Sequence, residues 1–287
     1  MKAIIPCAGL GTRFLPVTKV VPKELLPIVD QPVIHLIVEE AIKAGINGIV
    51  FITAQGKSAI EDYFDYSFQL EYELETKGKE ASLEQIKRIS NMLDVISVRQ
   101  KKPLGLGHAI LCARKVIGSE PFAVMLGDDI VDSEKPGIEQ LKEVHNFYGK
   151  SVVALREIPD EDIPKFGIVG VKKKDGRVVE ISKLVEKPSI DKAPSNLAII
   201  GRYVLNFSLF ALLKGLKPHQ PSGEIQLTDA LEMECNKDGL IGYLLEGDRF
   251  DAGNRLELIQ ATITYALRRG DLKEPLLAFL RDCLAKY

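Results

Sequence analysis

"AGLGTRFLP", residues 8–16, follows directly on the apolar run "AIIPC" (3–7). A glycine-rich turn after a short strand is an anion cradle, because residues without Cβ let backbone N–H groups approach phosphate oxygens. Read as the dinucleotide fingerprint G-x-G-x-x-G, the loop supplies Gly9 and Gly11 and then fails. Phe14 stands where the third glycine is needed for close helix packing. A Walker A loop is excluded, since G-x-x-x-x-G-K-[ST] occurs nowhere in the chain. Pro16, Pro22 and Pro27 forbid one continuous helix after the loop, so this stretch is expected to lie mostly as an ordered surface segment. That segment, "GLGTRFLPVTKVVPKELLPI" (9–28), carries Arg13, Lys19 and Lys23 beside its glycines and no acid before Glu24. It reads as an electropositive cradle suited to a triphosphate.

Outward from the loop, "KAIIP" (2–6), "GIVFIT" (48–53), "DVISVRQ" (94–100) and "FAVMLGDD" (122–129) are short β-branched-rich runs, expected as strands buried on both faces. Between the first two, Ile34, Ile37, Val38, Ala41 and Ile42 fall on one helical face, and Gly45 is a helix stop. "GHAILCARKVIG" (107–118) repeats the pattern before the strand ending at Asp129, so the first half reads as a parallel sheet wrapped by helices. Residues 66–92 are charged and helix-prone and interrupt this alternation, reading as a solvated helical excursion. After "SVVALREI" (151–158) come shorter strands, "FGIVGVKK", "RVVEISKLVEKP" and "NLAIIGRYVL", separated by Gly, Pro and Asp turns and expected to be mixed or antiparallel. Two helices, from about 255 to 269 and 274 to 286, close the chain.

The 287 residues suffice for a sizeable core, with roughly three quarters of the unfolded surface buried. The 38 basic and 40 acidic residues are spread without a basic block, which argues against a nucleic-acid or anionic-membrane partner. Cys7, Cys112, Cys235 and Cys283 form no C-x-x-C pair and read as reduced thiols. The start has too short an apolar stretch for a signal peptide, and nowhere do 18 apolar residues run together. A cytoplasmic protein is expected. The four histidines show no metal-ligand pairing, so zinc is disfavoured. His35, His145 and His219 are taken as structural, and His108 as a loop residue with no assigned chemistry.

"G-x-G-T-R-x-x-P-x-T" followed by "P-K-E-L-L-P-I" resembles the signature of the sugar-phosphate nucleotidylyltransferases. "RQKKPLGLGHA" (99–109), "LGDD" (126–129), "FGIVGV" (166–171), "VEKP" (185–188), "GRYVL" (201–205), "GEIQLTDA" (223–230) and "FDAGN" (250–254) fall where that family has its other motifs, so the resemblance covers nearly the whole chain. "PLGLGHA", "GEIQLTDA" and the charged excursion look most like the branch that joins UTP to glucose 1-phosphate, releasing UDP-glucose and pyrophosphate. Glucose-1-phosphate thymidylyltransferases are similar but shorter between the second and third strands. They also lack "LGLGHA".

The resemblance implies a Rossmann-like α/β nucleotidyltransferase fold, with a mainly parallel twisted mixed sheet flanked by helices, a β-rich sugar-binding portion and C-terminal helices. It divides a single domain, 1–287, into a nucleotide-binding half (1–150), a sugar-binding portion (151–253) and helices (254–287) that serve a homodimer or homotetramer. The reaction is attack by the sugar phosphate on the α-phosphorus of UTP. Two polyanions must meet, so catalysis is mostly positioning and charge neutralisation.

By the same resemblance Arg13, Lys23, Asp128 and Lys187 are catalytic, with Arg13 on the triphosphate and the lysines near the α-phosphate and sugar phosphate. Asp128 and Asp251 are the implied Mg²⁺ ligands, in keeping with the hard-oxygen preference of that ion. For Asp129 two readings stay open, a further ligand beside Asp128 or a local turn or capping role. Gln100 pairs with the pyrimidine, offering both an acceptor to N3–H and a donor to a ring carbonyl. Ala8 and Gly9 supply backbone contacts, Gly11 and Thr12 belong to the same nucleotide loop, and Gly105 leaves room beside the base. Glu186 accepts from sugar hydroxyls, with Gly167 and Gly201 nearby. A thymidylyltransferase or another sugar specificity stays open, as does a non-catalytic sugar-nucleotide sensor. Such a sensor would be expected to lack Arg13, Asp128, Lys187 or Asp251. A dehydrogenase would be stabilised by NAD and not by UTP.

Overall fold

Period-two alternation in the apolar strands sends successive side chains to opposite faces of one sheet, and the computed structural model, which describes residues 1–220 and 222–286, has a large core on each face accordingly, besides a small cluster of Ile163, Ile168 and Ala198. Ala3, Ile5, Phe51, Ala123 and Met125 enter one core, while Ile4, Val50, Ile52, Phe122 and Val124 enter the other. Each large side chain buried this way contributes roughly 1.5–3 kcal/mol.

Along the chain, β1 (Lys2–Pro6) leads into three short 3₁₀ turns, Thr12–Phe14, Val17–Lys19 and Lys23–Leu25. A small hairpin of β2 (Pro27–Ile28) and β3 (Gln31–Pro32) delivers the chain to α1 (Val33–Lys43) and then β4 (Gly48–Thr53). Three helices, α2 (Ser58–Phe64), α3 (Phe68–Thr76) and α4 (Glu80–Ser90), precede β5 (Ile96–Arg99). Next come α5 (Gly105–Cys112), the single turn α6 (Arg114–Ile117), β6 (Phe122–Met125), β7 (Asp129–Asp132) and α7 (Gly137–Tyr148). The second half runs β8 (Val152–Glu157), β9 (Gly167–Asp175), β10 (Val178–Glu186), β11 (Leu197–Leu205), α8 (Leu209–Gly215) and α9 (Leu227–Asp238). It ends with β12 (Ile241–Leu244), β13 (Asp248–Asp251), α10 (Arg255–Arg268) and α11 (Lys273–Leu284).

Nine strands form one mixed sheet in the order β5, β4, β1, β6, β11, β8, β12, β10, β9. The first four are parallel, as the βαβ reading requires, and antiparallel pairing begins where β11 meets β6. The loop after β1 therefore opens at the carboxyl ends of the parallel strands, the place where open α/β sheets collect ligands. The 66–92 excursion is helical and mostly exposed, and all four cysteines are free thiols. Among the described residues no helix is long and apolar enough to cross a membrane.

Several local expectations are corrected. The strand expected over 122–129 stops at Met125. Asp129 instead begins β7, which leaves the main sheet and pairs antiparallel with β13. β5 is an edge strand, so Ser97 and Arg99 are exposed rather than buried. Ile42 lies at the margin of the α1 face and is exposed, whereas Ile34, Ile37, Val38 and Ala41 are buried. The 107–118 helix breaks at Ala113 into α5 and α6, and α5 begins at Gly105, which puts His108 on a helix and not in a loop.

One irregularity was invisible in the sequence. β11 pairs with β8 through Ile200↔Ala154 and resumes at Tyr203↔Val153, so Gly201 and Arg202 form a bulge. The bulge drives the Arg202 guanidinium into the core, where its Nε lies 3.0 Å and its Nη2 2.5 Å from the two oxygens of Glu40. The same carboxylate accepts the Ile138 N–H at 2.9 Å, tying α1, α7 and β11 together.

Candidate active site

The β7–β13 ribbon brings the two metal-ligand candidates together. Its register sets Asp251 opposite Asp129, and Ala252 N–H donates to the Asp128 carbonyl at 2.7 Å. Asp128 occupies the turn between β6 and β7 and forms an ion pair with Lys23, carried there by the third 3₁₀ turn. Arg13 Nη1 lies 3.6 Å from Asp251 Oδ2, and the Arg13 carbonyl is held by Arg255 Nε of α10 at 2.9 Å. Gly253 sits at the centre. A Cβ built on it would lie 2.5 Å from Arg13 Nη2, 2.8 Å from Asp251 Oδ1 and 2.9 Å from Asp128 Oδ2.

The charges are mutually adjusted. Burial would lower the Lys23 pKa, but the Asp128 and Glu24 carboxylates outweigh it and hold the ammonium above its ordinary range. Burial would raise Asp128, and Lys23 with Arg13 overcomes it and holds the carboxyl low. Asp251 is pushed up by burial and by the Asp128 charge, against the opposing pull of Arg249 and Arg13. Two converging carboxylates that repel each other could hold a divalent cation through hard oxygens. No group of three or more His, Cys, Asp or Glu forms a metal cage among the described residues. Two carboxylates completed by substrate phosphates and water suit Mg²⁺.

Two cavities are lined by residues of this junction, one by Lys23 and Asp128 and the other by Arg13 and Asp251. One, of about 510 Å³, is lined by Ala8, Gly9, Gly11, Thr12, Lys23, Gln100, Gly105 and Asp128, which are all the sequence-expected nucleotide residues except Arg13. Gly11 has φ +66°, a left-handed turn that glycine adopts without strain, and its carbonyl accepts Thr18 Oγ1 at 2.7 Å. Gly105 packs its α-carbon against Glu224 and Ile225 of the "GEIQL" segment. The second cavity, of about 870 Å³, is lined by Arg13, Asp251, Phe166 and Arg249 among others.

The sugar-side residues form a separate cluster. Gly167 pairs with Glu186 across β9 and β10, Glu186 Oε2 accepts Thr228 Oγ1 at 2.5 Å, and Lys187 Nζ lies 3.6 Å from Glu186 Oε1. Lys187 is exposed, has φ +44°, and donates its N–H to the Phe166 carbonyl at 3.0 Å. Gly201 stands apart from them on the Asp128 side. Its N–H donates to Asp129 Oδ2 at 2.7 Å, and its carbonyl accepts the Leu126 N–H at 2.9 Å. Asp129 is therefore a buried clamp on the β11 bulge, which is more than a turn or cap.

Four participants escaped the sequence reading. Arg249 donates from Nε to Asp129 Oδ1 at 2.7 Å and covers the Phe166 ring at 5.5 Å, joining the β7–β13 ribbon to the loop that precedes β9. Glu24, fully buried, accepts from Lys57 Nζ at 2.9 Å and leaves Oε1 without a partner. Burial raises the Glu24 pKa, with Lys57 and Lys23 opposing. Glu24 belongs to "PKELLP" and could have been singled out. Gly253 likewise lies inside "FDAGN" (250–254), whereas Arg249 and Lys57 carried no motif signal of their own.

The sequence profile of the Nucleotidyl transferase family matches residues 2–267. The chain is 49% identical to the UTP--glucose-1-phosphate uridylyltransferase YngB of Bacillus subtilis over 99% of this chain and 96% of that protein. A UDP-glucose pyrophosphorylase structure from Acinetobacter baumannii superposes with a TM-score of 0.90 at 39% identity, covering 98% of this chain and 99% of the other. A UDP-glucose pyrophosphorylase structure in complex with UDP-glucose superposes with a TM-score of 0.84 at 41% identity, covering 93% and 99%.

Proposed function

This chain belongs to the nucleotidyl transferase family, and on that premise we propose that the junction of Arg13, Lys23, Asp128 and Asp251 is where it transfers the uridylyl group of UTP to glucose 1-phosphate, giving UDP-glucose and pyrophosphate. The observation that carries this assignment is the convergence of two cations and two carboxylates, Lys23 and Asp128 lining one cavity and Arg13 and Asp251 the other.

A phosphate oxygen of the sugar 1-phosphate attacks the α-phosphorus, and the bond from that phosphorus to the bridging oxygen of pyrophosphate breaks. No enzyme nucleophile takes part. Uracil lies against Gln100 with Ala8, Gly9 and Gly105 around it, and Gly11 and Thr12 line the path of the phosphates. Lys23 neutralises charge at the α-phosphate. Arg13, exposed and forked, takes oxygens of the departing pyrophosphate. Asp128 and Asp251 are the residues that would hold Mg²⁺, which supplies charge stabilisation on phosphate oxygens when bound. Glu186 accepts from sugar hydroxyls beside Gly167, with the Gly201 bulge across the site on the Asp128 side, and Lys187 meets the sugar phosphate.

Three further elements belong to the same proposal. The chain works as one domain, with 1–150 serving the nucleotide, 151–253 the sugar and 254–287 assembly. A homodimer or homotetramer built on the C-terminal helices is supported by α11, which buries none of its residues and exposes Phe279 and Leu284. Four free thiols suit a cytoplasmic setting. Light scattering on the full chain tests the assembly.

The site reading is tested by pyrophosphate release with Mg²⁺, UTP and glucose 1-phosphate in Lys187→Ala. Loss of a cation on the sugar phosphate is expected to lower kcat/KM for glucose 1-phosphate by about 10²-fold. KM for UTP should change little. Equal damage to both substrates would remove Lys187 from the sugar side.

A further inference from the structure

Gln100 follows directly on β5, and its amide nitrogen has two partners inside the protein. It donates to the Gly105 carbonyl at 3.1 Å and to His108 Nδ1 at 2.9 Å. A carbonyl oxygen can only accept, so the contact to Gly105 fixes which end of the amide points there. Nδ1 of His108 must then be the unprotonated ring nitrogen, with the proton on Nε2. Both amide N–H bonds are committed, and Oε1 is what remains for a ligand in the cavity that Gln100 lines. This corrects the expectation that Gln100 offers the base an acceptor and a donor together.

We infer that His108 is the positioning residue for base choice: its Nδ1 acceptor locks the Gln100 amide so that only an oxygen meets N3 of the pyrimidine. Uracil and thymine carry a hydrogen on N3 and satisfy that oxygen. Cytosine presents a lone pair there and is repelled. Protonating the ring, or replacing it with a group that cannot accept, removes one of the two anchors and leaves the Gly105 carbonyl alone to oppose rotation of the amide. Rotation would bring its NH₂ to N3, the arrangement that suits cytosine. Burial lowers the His108 pKa, which keeps the ring neutral and the acceptor available. His108 stands on α5, whose start at Gly105 is pinned by the Gly107 N–H donating to the Ile225 carbonyl at 2.9 Å. The two anchors of the amide thus sit on one rigid turn.

The inference rests on the proposed placement of uracil against Gln100, and the test separates the two. Pyrophosphate release by the full chain is measured with UTP, dTTP and CTP for wild type, Gln100→Leu, His108→Leu and His108→Asn, and expressed as ratios of kcat/KM. His108→Leu keeps the bulk and removes the acceptor, whereas Asn places an oxygen close to where Nδ1 stood. The expected result is a UTP:CTP ratio lowered about five- to tenfold in His108→Leu, the effect of one hydrogen bond. The UTP:dTTP ratio should not move, because both bases carry the N3 hydrogen. His108→Asn is expected to restore the UTP:CTP ratio. If Gln100→Leu collapses this ratio and His108→Leu does not, the role of His108 is overturned while the base placement stands. If His108→Asn is as indiscriminate as His108→Leu, ring shape rather than the acceptor matters, and the inference is again overturned. If Gln100→Leu leaves the ratio intact, the base placement itself fails and takes the inference with it.

Discussion

Gly253→Ala is the most local perturbation available to the proposed metal site. The glycine does not adopt the left-handed backbone that disfavours a side chain, so alanine is tolerated by the chain itself. What the added methyl meets is the site. At 2.8 Å from Asp251 Oδ1 and 2.9 Å from Asp128 Oδ2 it is closer than a real Cβ approaches other atoms, and Arg13 Nη2 lies at 2.5 Å. The flexible, exposed guanidinium can swing away, but the carboxylates are held, Asp128 by Lys23 and Asp251 by the Gly253 N–H at 2.8 Å. At least one must move by several tenths of an ångström. A misplacement of about 1 Å can cost 10²-fold in rate, so a shift of this size is expected to cost on the order of tenfold, and disturbed ligand geometry costs on the order of 10- to 100-fold in metal affinity. Pyrophosphate release titrated with Mg²⁺ should show both a lower kcat and a right-shifted activation curve, with a thermal midpoint near that of wild type. Gly215→Ala is the control, because open space surrounds that position. An unchanged Mg²⁺ curve and a rate within threefold of wild type for Gly253→Ala would refute the placement of the metal between the two aspartates.

Other expectations follow from buried charge. Lys57→Met strands the Glu24 carboxylate beneath Lys23 and should destabilise by roughly 3–5 kcal/mol, read by urea denaturation. The double variant Lys57→Met, Glu24→Leu should recover most of that loss. Arg202→Met leaves Glu40 unpaired in the core and is expected to cost a similar amount, lowering the thermal midpoint by at least about 5 °C. Glu234, buried and hydrogen-bonded by Ser151 Oγ at 2.9 Å, has its pKa pushed up to about 7 by burial. The folded state then holds a proton that the unfolded state releases near pH 4.5, so this group's contribution is complete below that pH and declines as pH rises to about 7. The unfolding free energy of Glu234→Gln relative to wild type, read by urea denaturation at several pH values, should climb across that window by an amount on the order of 3 kcal/mol. A difference independent of pH would contradict it.

The parts of the molecule legible in the sequence are those set by local rules. Alternation in "KAIIP" and "GIVFIT" gave the two-faced sheet, the 3.6-residue spacing of Ile34, Ile37, Val38 and Ala41 gave α1, and three prolines gave the broken segment that carries Lys23 to Asp128. "GLGTR" and "PKELLPI" marked the cavity proposed for the nucleotide because backbone donors and cations are packed into one short stretch. What stayed hidden depends on distant partners. The end of β6 at Met125 is decided by the pairing of Asp129 with Asp251, residues that no local pattern connects. The bulge at Gly201 and Arg202 exists because Asp129 and Glu40 wait on other elements to bind it. The orientation of Gln100 depends on a helix beginning at Gly105, where the sequence suggested a loop.

The central claim is that Asp128 and Asp251 serve one divalent cation in uridylyl transfer, and a double-mutant cycle tests it most directly. Pyrophosphate release from UTP and glucose 1-phosphate is measured for Asp128→Asn, Asp251→Asn and the double variant at saturating Mg²⁺. Groups that act as a unit are strongly non-additive, so each single change should cost at least about 10²-fold and the double change little more than the worse single. An Asp251→Asn enzyme within threefold of wild type, or losses that simply multiply, would contradict the account.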